Sequence, residues 1–245
     1  MTSTILVTGG TGLLGGHLVP LLDGHDVRVL SRRAGNGAHV TGDLLTGEGL
    51  DAAVTGIDTI VHLAGGQKGD DVATRNLVEA ATRAGVRHVV YISVIGSDRV
   101  PLGWMRMKLA AERAIAESGL PWTTLRAAQF HDLVHKTVRT MAKLPVVPVP
   151  GGLRFQPVDA GDVAARLVEL ALGEPAGLVP DMAGPTVYPI GDLIKSYLHA
   201  HGKRRPLLPV RMPGKMGRAY RAGANLTLEG ATLGRRTWED FLKRA

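Results

Sequence analysis

Short apolar runs alternate with amphipathic stretches over the first 126 residues of the chain. Six runs rich in β-branched residues predict strands that are buried on both faces, because their hydrophobicity is nearly continuous. These strands lie within residues 5–9, 26–30, 39–44, 58–65, 88–94 and 121–127. Apolar residues at helical spacing predict helices over 13–23, 70–84 and 104–118, the first kinked at Pro20. Strands that alternate with helices indicate an α/β fold with a doubly wound parallel sheet and helices on both faces.

After residue 128 the alternation of apolar runs and amphipathic stretches becomes less regular. Further helices are expected over residues 130–142, 158–172 and 189–202, a Pro/Gly-rich loop or short strand over 144–152, and a strand over 178–184. Asp159 is placed to cap the helix that follows it. Because no long linker interrupts the chain, we expect one domain over residues 1–245. Its core would span about 1–128, and a dependent C-terminal substrate-binding region would span about 129–245.

Composition and charge narrow the function classes. The chain has no cysteine, which excludes disulfides and thiolate metal sites and fits a cytoplasmic location; the scattered histidines predict no metal site. Residues 201–245 hold eleven Lys or Arg against three acids, a sum of +8 within a net charge of +7. Because these cations do not form a basic stripe with interleaved aromatic residues, as single-strand binders require, we interpret them as a solvated surface and expect neither nucleic acid nor membrane as partner.

The segment Thr8–Gly15 carries a glycine pattern directly after the first predicted strand and at the start of a helix. In this context a tight turn, close approach to a pyrophosphate and close helix packing each require a glycine, so the pattern predicts dinucleotide binding. The predicted contacts at this turn are Gly9, Thr11, Gly12, Leu13, Leu14 and Gly15.

The end of the second strand indicates which dinucleotide is bound. Ser31, Arg32 and Arg33 stand where an acid would bind the ribose 2′-hydroxyl of NAD, and two guanidiniums with a hydroxyl suit a 2′-phosphate instead. We therefore predict NADP(H) as the cofactor.

Two further strand ends carry predicted cofactor contacts. Asp43 and Leu44 follow the third strand, where they would bracket an adenine. Ala64 and Gly65 follow the fourth strand, where small residues let a cofactor lie across the strand end.

Residues 8–15, 42–44, 62–65 and 91–93 resemble the short-chain dehydrogenase/reductase superfamily. Residues 108–134 and 155–164, and the end from 205–224 to TWEDFL at 237–242, resemble its atypical, NmrA-like branch. The resemblance covers nearly the whole chain and implies a Rossmann-like fold. It also implies either an NADPH-dependent reductase of quinones or other carbonyls, or a redox sensor that binds the cofactor without turnover.

The superfamily's reductases use a Tyr-x-x-x-Lys pair, which this chain lacks. Lys108 matches the lysine and implies contact with the nicotinamide ribose, whereas Trp104 occupies the tyrosine position. An indole N–H has no useful acidity, so Trp104 would serve as a wall of the substrate site. We expect no other tyrosine near, since Tyr91 lies inside the fifth strand. Ser93 matches a serine of the family and is a candidate for catalysis and cofactor binding.

Residues after the sixth strand are candidates for substrate contact. Gln129 and Phe130 would bind the substrate. The proton that the missing tyrosine would supply comes from water, from the substrate, or from Gln129, His131 or His135, and His131 is the best titratable candidate.

These expectations favour an NADPH-dependent reductase of a hydrophobic carbonyl or quinone that works without the usual tyrosine, as a possible homo-oligomer. The alternative is a non-catalytic NADP(H)-binding sensor that regulates a partner. A third hypothesis is a nucleotide-sugar epimerase or dehydratase. It is disfavoured by the absent tyrosine and by the short C-terminal region.

Overall fold

The computed structural model describes residues 3–33, 35, 37–66 and 68–245. The chain forms two compact units. The first comprises residues 1–93, 103–126 and 163–179, and the second comprises 94–102, 127–162 and 180–245. The chain passes between the units several times, where the sequence suggested a single transition near residue 128.

The elements of the described residues follow in chain order. The strands are β1 (Thr4–Thr8), β2 (Asp26–Ser31), β3 (His39–Thr41), β4 (Thr59–His62), β5 (His88–Val94), β6 (Trp122–Ala127), β7 (Val147–Pro150), β8 (Arg154–Phe155), β9 (Gly177–Leu178), β10 (Met182–Ala183), β11 (Tyr188–Pro189), β12 (Leu207–Val210) and β13 (Thr232–Leu233). The helices are α1 (Leu13–Leu18), α2 (Leu50–Val54), α3 (Asp70–Ala84), α4 (Gly103–Ala116), α5 (His131–Met141), α6 (Ala160–Leu172), α7 (Ile190–Ala200), α8 (Gly214–Arg221) and α9 (Trp238–Leu242).

The first unit is built on a sheet with the strand order β3-β2-β1-β4-β5-β6-β9. The pairs β1·β2, β1·β4, β2·β3, β4·β5 and β6·β9 are parallel. The order reverses between β1 and β4, and ligands of such sheets bind where the carboxyl ends of the strands meet that reversal. The predicted fold class, a Rossmann-like, mostly parallel sheet surrounded by helices, is confirmed.

Helices α3 and α4 lie close to the positions that their apolar spacing predicts. The predicted helix over 13–23 ends early: α1 stops at Leu18, and Val19–Leu22 continues as a 3₁₀ turn. Pro20 accounts for the change, because it has no N–H to donate and its ring crowds the preceding turn.

The second unit has its own apolar core, formed chiefly by α5, α7 and α9, in which Trp238 is fully buried. Two small sheets belong to it, β7 paired in parallel with β12 and β8 paired antiparallel with β11. The predicted cap is present, since Asp159 Oδ1 accepts a hydrogen bond from the Gly161 amide at 2.9 Å. Over the described residues, no helix is both long enough and apolar enough to cross a membrane.

Candidate functional site

The glycine turn between β1 and α1 is shaped by close backbone contacts. Gly9 has a φ of 70°, and a Cβ there would lie 2.6 Å from the Ala64 amide nitrogen. The Gly12 amide donates to the Gly9 carbonyl at 3.0 Å, and a Cβ at Gly12 would meet only that oxygen. Gly10 is a further constrained position that the glycine spacing does not predict, since a Cβ there would lie 2.7 Å from Val29 of β2.

The amino end of α1 is free to bind an anion. No side chain caps it, and Thr11, Gly12 and Leu13 are exposed. The first amides of a helix have no intrahelical acceptor, so those of this turn can donate to a pyrophosphate. The turn therefore fits the dinucleotide that its sequence predicts.

The two arginines after β2 are exposed, and neither is held by an ion pair in the part of the chain that the structure describes. Ser31 Oγ accepts a hydrogen bond from the Arg33 amide at 3.2 Å, which fixes the turn. Arg32 and Arg33 thus present free guanidiniums beyond the sheet, and such groups can bind a phosphate.

The predicted adenine-bracketing residues also support their own loop. Asp43 Oδ1 accepts from the Leu45 amide at 2.7 Å, and Leu44 packs partly against the core of the first unit. Asn76 of α3 donates to the carbonyls of Leu44 and Leu45 at 2.8 and 3.0 Å. These bonds give the loop a fixed position beside the third strand.

Lys108 of α4 lies in a buried, charged contact beside Gly65. Its Nζ is 2.9 Å from Asp70 Oδ2, and the two side chains are 11% and 2% exposed. The ammonium also donates to the Tyr91 hydroxyl at 3.1 Å and, more weakly, to the Ile92 carbonyl at 3.4 Å. A Cβ at Gly65 would lie 2.9 Å from Nζ, so the glycine leaves the end of this lysine accessible.

The expectation that no tyrosine lies near Lys108 is wrong. The register of the parallel strands pairs Tyr91 with His62, and this places the phenol beneath Lys108, whose Nζ is 4.8 Å from the ring centroid. Tyr91 is fully buried and donates to Asp70 Oδ2 at 3.3 Å. Burial, and then the Asp70 carboxylate, raise the pKa of Tyr91 well above its usual value, so the phenol is no general acid for a substrate.

Trp104 stands one helical turn before Lys108 in the first turn of α4 and is half-buried. Residues four apart share one face of a helix, so Trp104 borders the same side of α4 as the lysine.

A directed chain of hydrogen bonds links the glycine turn to Asp70 through His62. Thr8 Oγ1 accepts from the Ala64 amide and contacts His62 Nδ1 at 2.6 Å. Thr74 Oγ1 donates to the Asp70 carbonyl at 2.7 Å and contacts His62 Nε2 at 3.0 Å. Because the Thr74 proton is committed to that carbonyl, Nε2 carries the imidazole proton and Nδ1 accepts from Thr8.

Burial is the main reason that the pKa of His62 is lowered to about 4, with the Lys108 ammonium adding to the effect. His62 is therefore neutral at pH 7. A neutral imidazole has one N–H donor and one acceptor nitrogen, which matches the two hydrogen bonds of His62. The sequence analysis missed Asp70, His62 and Thr74; their signal is a polar residue inside a buried strand or on the buried face of α3.

Ser93 is not placed for the catalytic or cofactor role that the resemblance implies. Its side chain is buried, and its hydroxyl donates to Glu112 of α4 in a short hydrogen bond. Arg126 binds the same carboxylate, with Nη2 2.7 Å from Oε2. The prediction for Ser93 is corrected to a buried Ser–Glu–Arg cluster, in which Arg126 neutralises Glu112 and the serine donates a hydrogen bond to it.

The remaining candidates lie in the second unit. The side-chain amide of Gln129 is buried without a hydrogen-bond partner among the described residues, and Phe130 begins α5. His131 is fully buried, with its ring 5.4 Å from that of Phe241, and burial lowers its pKa. Burial also lowers the pKa of His135. A buried, neutral His131 is a poor proton donor, contrary to its place as the best candidate.

The sheet order, the glycine turn and the lysine at its edge define a nicotinamide-dinucleotide-binding protein. Residues 9–173, more than half of the chain, match the model of the family described as NAD(P)H-binding. The chain belongs to this family, and the resemblance to atypical short-chain dehydrogenase/reductases is confirmed. The class of cofactor predicted from the glycine turn is confirmed with it.

Several curated relatives are oxidoreductases by name. A 3-beta-hydroxysteroid dehydrogenase of Mycolicibacterium neoaurum is 35% identical over 54% of this chain and 40% of its own length. A (4-alkanoyl-5-oxo-2,5-dihydrofuran-3-yl)methyl phosphate reductase of Streptomyces griseus is 32% identical over 69% of this chain and 63% of its own length. The chain thus spans less than two thirds of these relatives.

Solved structures share the fold along nearly the whole chain. An NADPH-dependent quinone oxidoreductase of Escherichia coli, in complex with NADPH, superposes with a TM-score of 0.84 at 18% identity, covering 98% of this chain and 99% of that one. A triphenylmethane reductase of Citrobacter complexed with NADP(H) gives 0.80 at 20% identity, with coverage of 98% and 99%.

Proposed function

We propose that the protein is an NADPH-dependent reductase of a hydrophobic carbonyl or quinone. The observation that carries this proposal is the Lys108–Asp70 pair, a buried charge contact whose ammonium lies beside Gly65. A buried lysine with a carboxylate partner at the carboxyl ends of parallel strands stands where ligands of such sheets bind. Relatives named as a furan phosphate reductase, a ceramide reductase and a quinone oxidoreductase support a carbonyl or quinone acceptor.

We propose that the phosphorylated dinucleotide is preferred. Its pyrophosphate would lie on the turn at Gly9 and Gly12, and its 2′-phosphate would meet Arg32 and Arg33. The free guanidiniums support this assignment, because charge-assisted bonds to phosphate are short and strong. When bound, the cofactor supplies the hydride.

Lys108 is proposed to hold the cofactor ribose and to lend positive charge to the acceptor oxygen. An ammonium has three donors, and here they meet Asp70, Tyr91 and the Ile92 carbonyl. The contact with Ile92, at 3.4 Å, is the weakest and so the easiest to exchange for a hydroxyl. Asp70 keeps the ammonium in place while that exchange occurs.

The proton that balances hydride transfer is proposed to come from water. Trp104 carries no acidic proton, and the phenol of Tyr91 is buried with a raised pKa. Gln129 is proposed as a substrate contact, since its unpartnered amide favours a polar ligand atom.

NADPH oxidation against a panel of quinones and hydrophobic ketones tests the function. Lys108→Met keeps the aliphatic stem and removes the charge, so turnover should fall at least tenfold; circular dichroism checks that the fold persists with Asp70 left unpaired. Lys243→Met, at a side chain that is 76% exposed, is the matched control and should leave turnover unchanged. Equal activity of both variants would refute the role of Lys108.

A non-catalytic NADP(H) sensor is the second candidate. It is favoured by the indole of Trp104 at the tyrosine position together with the inaccessible phenol of Tyr91. Tight NADPH binding by calorimetry, with no oxidation by any acceptor of the panel, would select the sensor. Activity created by Trp104→Tyr in an otherwise inactive protein would give the same result.

A further inference from the structure

Two long segments of the second unit contain no acidic residue. Residues 133–158 carry four Lys or Arg, and residues 193–228 carry eight. The acids that precede these segments, Asp132 and Asp192, lie in the first turns of α5 and α7. Each helix has eleven residues and so is about 16 Å long, which separates its acid from the cations beyond its last turn.

The parallel pairing of β7 with β12 brings the two acid-free segments together. Val147 pairs with Leu207, and the Val147 amide donates to the Pro206 carbonyl at 2.9 Å. Parallel strands have their amino ends at the same edge, so residues 143–146 and 203–206 lead into the same edge of this two-stranded sheet. We call these residues, together with Leu208 of β12, the basic edge.

The basic edge combines exposed cations with exposed aliphatic side chains. Leu144, Val146 and Leu208 are 46%, 43% and 54% exposed. The cations beside them are exposed and form no ion pair with any described residue. They are Lys143, Lys203, Arg204 and Arg205.

We propose that the basic edge docks on the surface of an anionic lipid bilayer. Apolar side chains that enter the headgroup region and cations that bind anionic lipid act together in interfacial binding. Pro145 and Pro206 favour entry into the headgroup region, because a proline has no backbone N–H that would lose its hydrogen bond to water. Nucleic acid would use the cations but would leave three exposed aliphatic side chains unexplained.

This inference revises the expectation that the basic C-terminal segment is only a solvated surface. It concerns binding at the bilayer surface by residues of the second unit alone and does not rest on the proposed function.

Co-sedimentation of the full chain with vesicles tests the proposal. Binding to phosphatidylcholine vesicles should be weak and should rise when phosphatidylserine is added, at physiological salt. A cation near an anionic surface contributes roughly fivefold to partitioning, so Arg204→Gln with Arg205→Gln should weaken binding about 25-fold. Arg106→Gln with Arg113→Gln removes the same charge from α4 and should change binding less than about threefold.

A second pair of variants separates the bilayer from other polyanions. Leu144→Ser with Leu208→Ser should weaken vesicle binding about tenfold through lost apolar burial. Leu172→Ser with Leu228→Ser, at positions exposed at least as much, should not weaken it. Absent binding to anionic vesicles, or equal losses in the two arginine pairs, would overturn the proposal. Tighter binding to duplex DNA that ignores the leucines would also overturn it and would identify nucleic acid as the partner.

Discussion

The neutral state of His62 makes the stability of the protein depend on pH in a specific window. Its pKa is lowered from 6.5 to about 4 in the folded chain, so the unfolded chain binds more protons between these values. Stability from this residue is therefore complete above pH 6.5 and is lost as the pH falls towards 4.

The size of the effect follows from the shift. One pKa unit corresponds to about 1.4 kcal/mol, and the difference between 6.5 and about 4 gives roughly 3 kcal/mol. That is a large share of the 5–15 kcal/mol that is typical of domain stability.

Urea unfolding of the wild type and of His62→Gln at several pH values measures this contribution. The variant does not titrate at this position, so other groups cancel in the difference between the two proteins. The stability advantage of the wild type should shrink by about 3 kcal/mol from pH 7 to pH 4. A difference that stays constant across this range would show that His62 is not held neutral by the fold.

The acceptor of the imidazole proton gives an independent check. Thr74→Val leaves His62 Nε2–H buried without a partner and should cost about 1–3 kcal/mol at pH 7. Thr137→Val is the matched control, because that threonine also bonds the carbonyl four residues earlier but is exposed. It should cost less than about 0.5 kcal/mol.

Three further outcomes are expected. Arg32→Ala with Arg33→Ala should weaken NADPH binding by about 3 kcal/mol or more and leave NADH binding nearly unchanged, as calorimetry would show; equal losses for both cofactors would contradict the assignment. Gly12→Val should abolish binding of either cofactor without unfolding the chain, since a Cβ there meets only one carbonyl oxygen; circular dichroism checks the fold. Trp104→Phe should keep most reductase activity in the NADPH-oxidation assay, whereas a loss as large as that of Lys108→Met would give the indole a direct role.

The sequence predicts the sheet and most helices because the buried strands of the first unit are continuous apolar runs. Strands β1, β4 and β5 have almost no exposed residue, so their hydrophobicity has no competing explanation. The short helix α2 is not predicted by the spacing of apolar residues, because five residues are too few to establish a helical period. The division into two units is not predicted by this spacing either, since neither unit corresponds to one continuous stretch of chain.

The candidate site is predicted where function requires a backbone conformation and missed where it requires a tertiary contact. Gly9 is recognisable because its turn needs a positive φ. Tyr91 and Asp70 meet Lys108 only through strand register and helix packing, neither of which leaves a local pattern. For Ser93 the error is of a different kind. The sequence places this residue in the strand correctly, but it does not indicate that the hydroxyl bonds Glu112.

The contacts that hold α9 in the second unit have a consequence for the order of events during synthesis. Asp159 binds both Arg236 and Arg244, at 2.7 and 3.1 Å, and Trp238 is buried in the core of the second unit. That core therefore stays incomplete until Trp238 has emerged from the ribosome. All residues of the first unit lie before residue 180, so they are synthesised before Trp238 emerges, and the core of the second unit is the last to be completed.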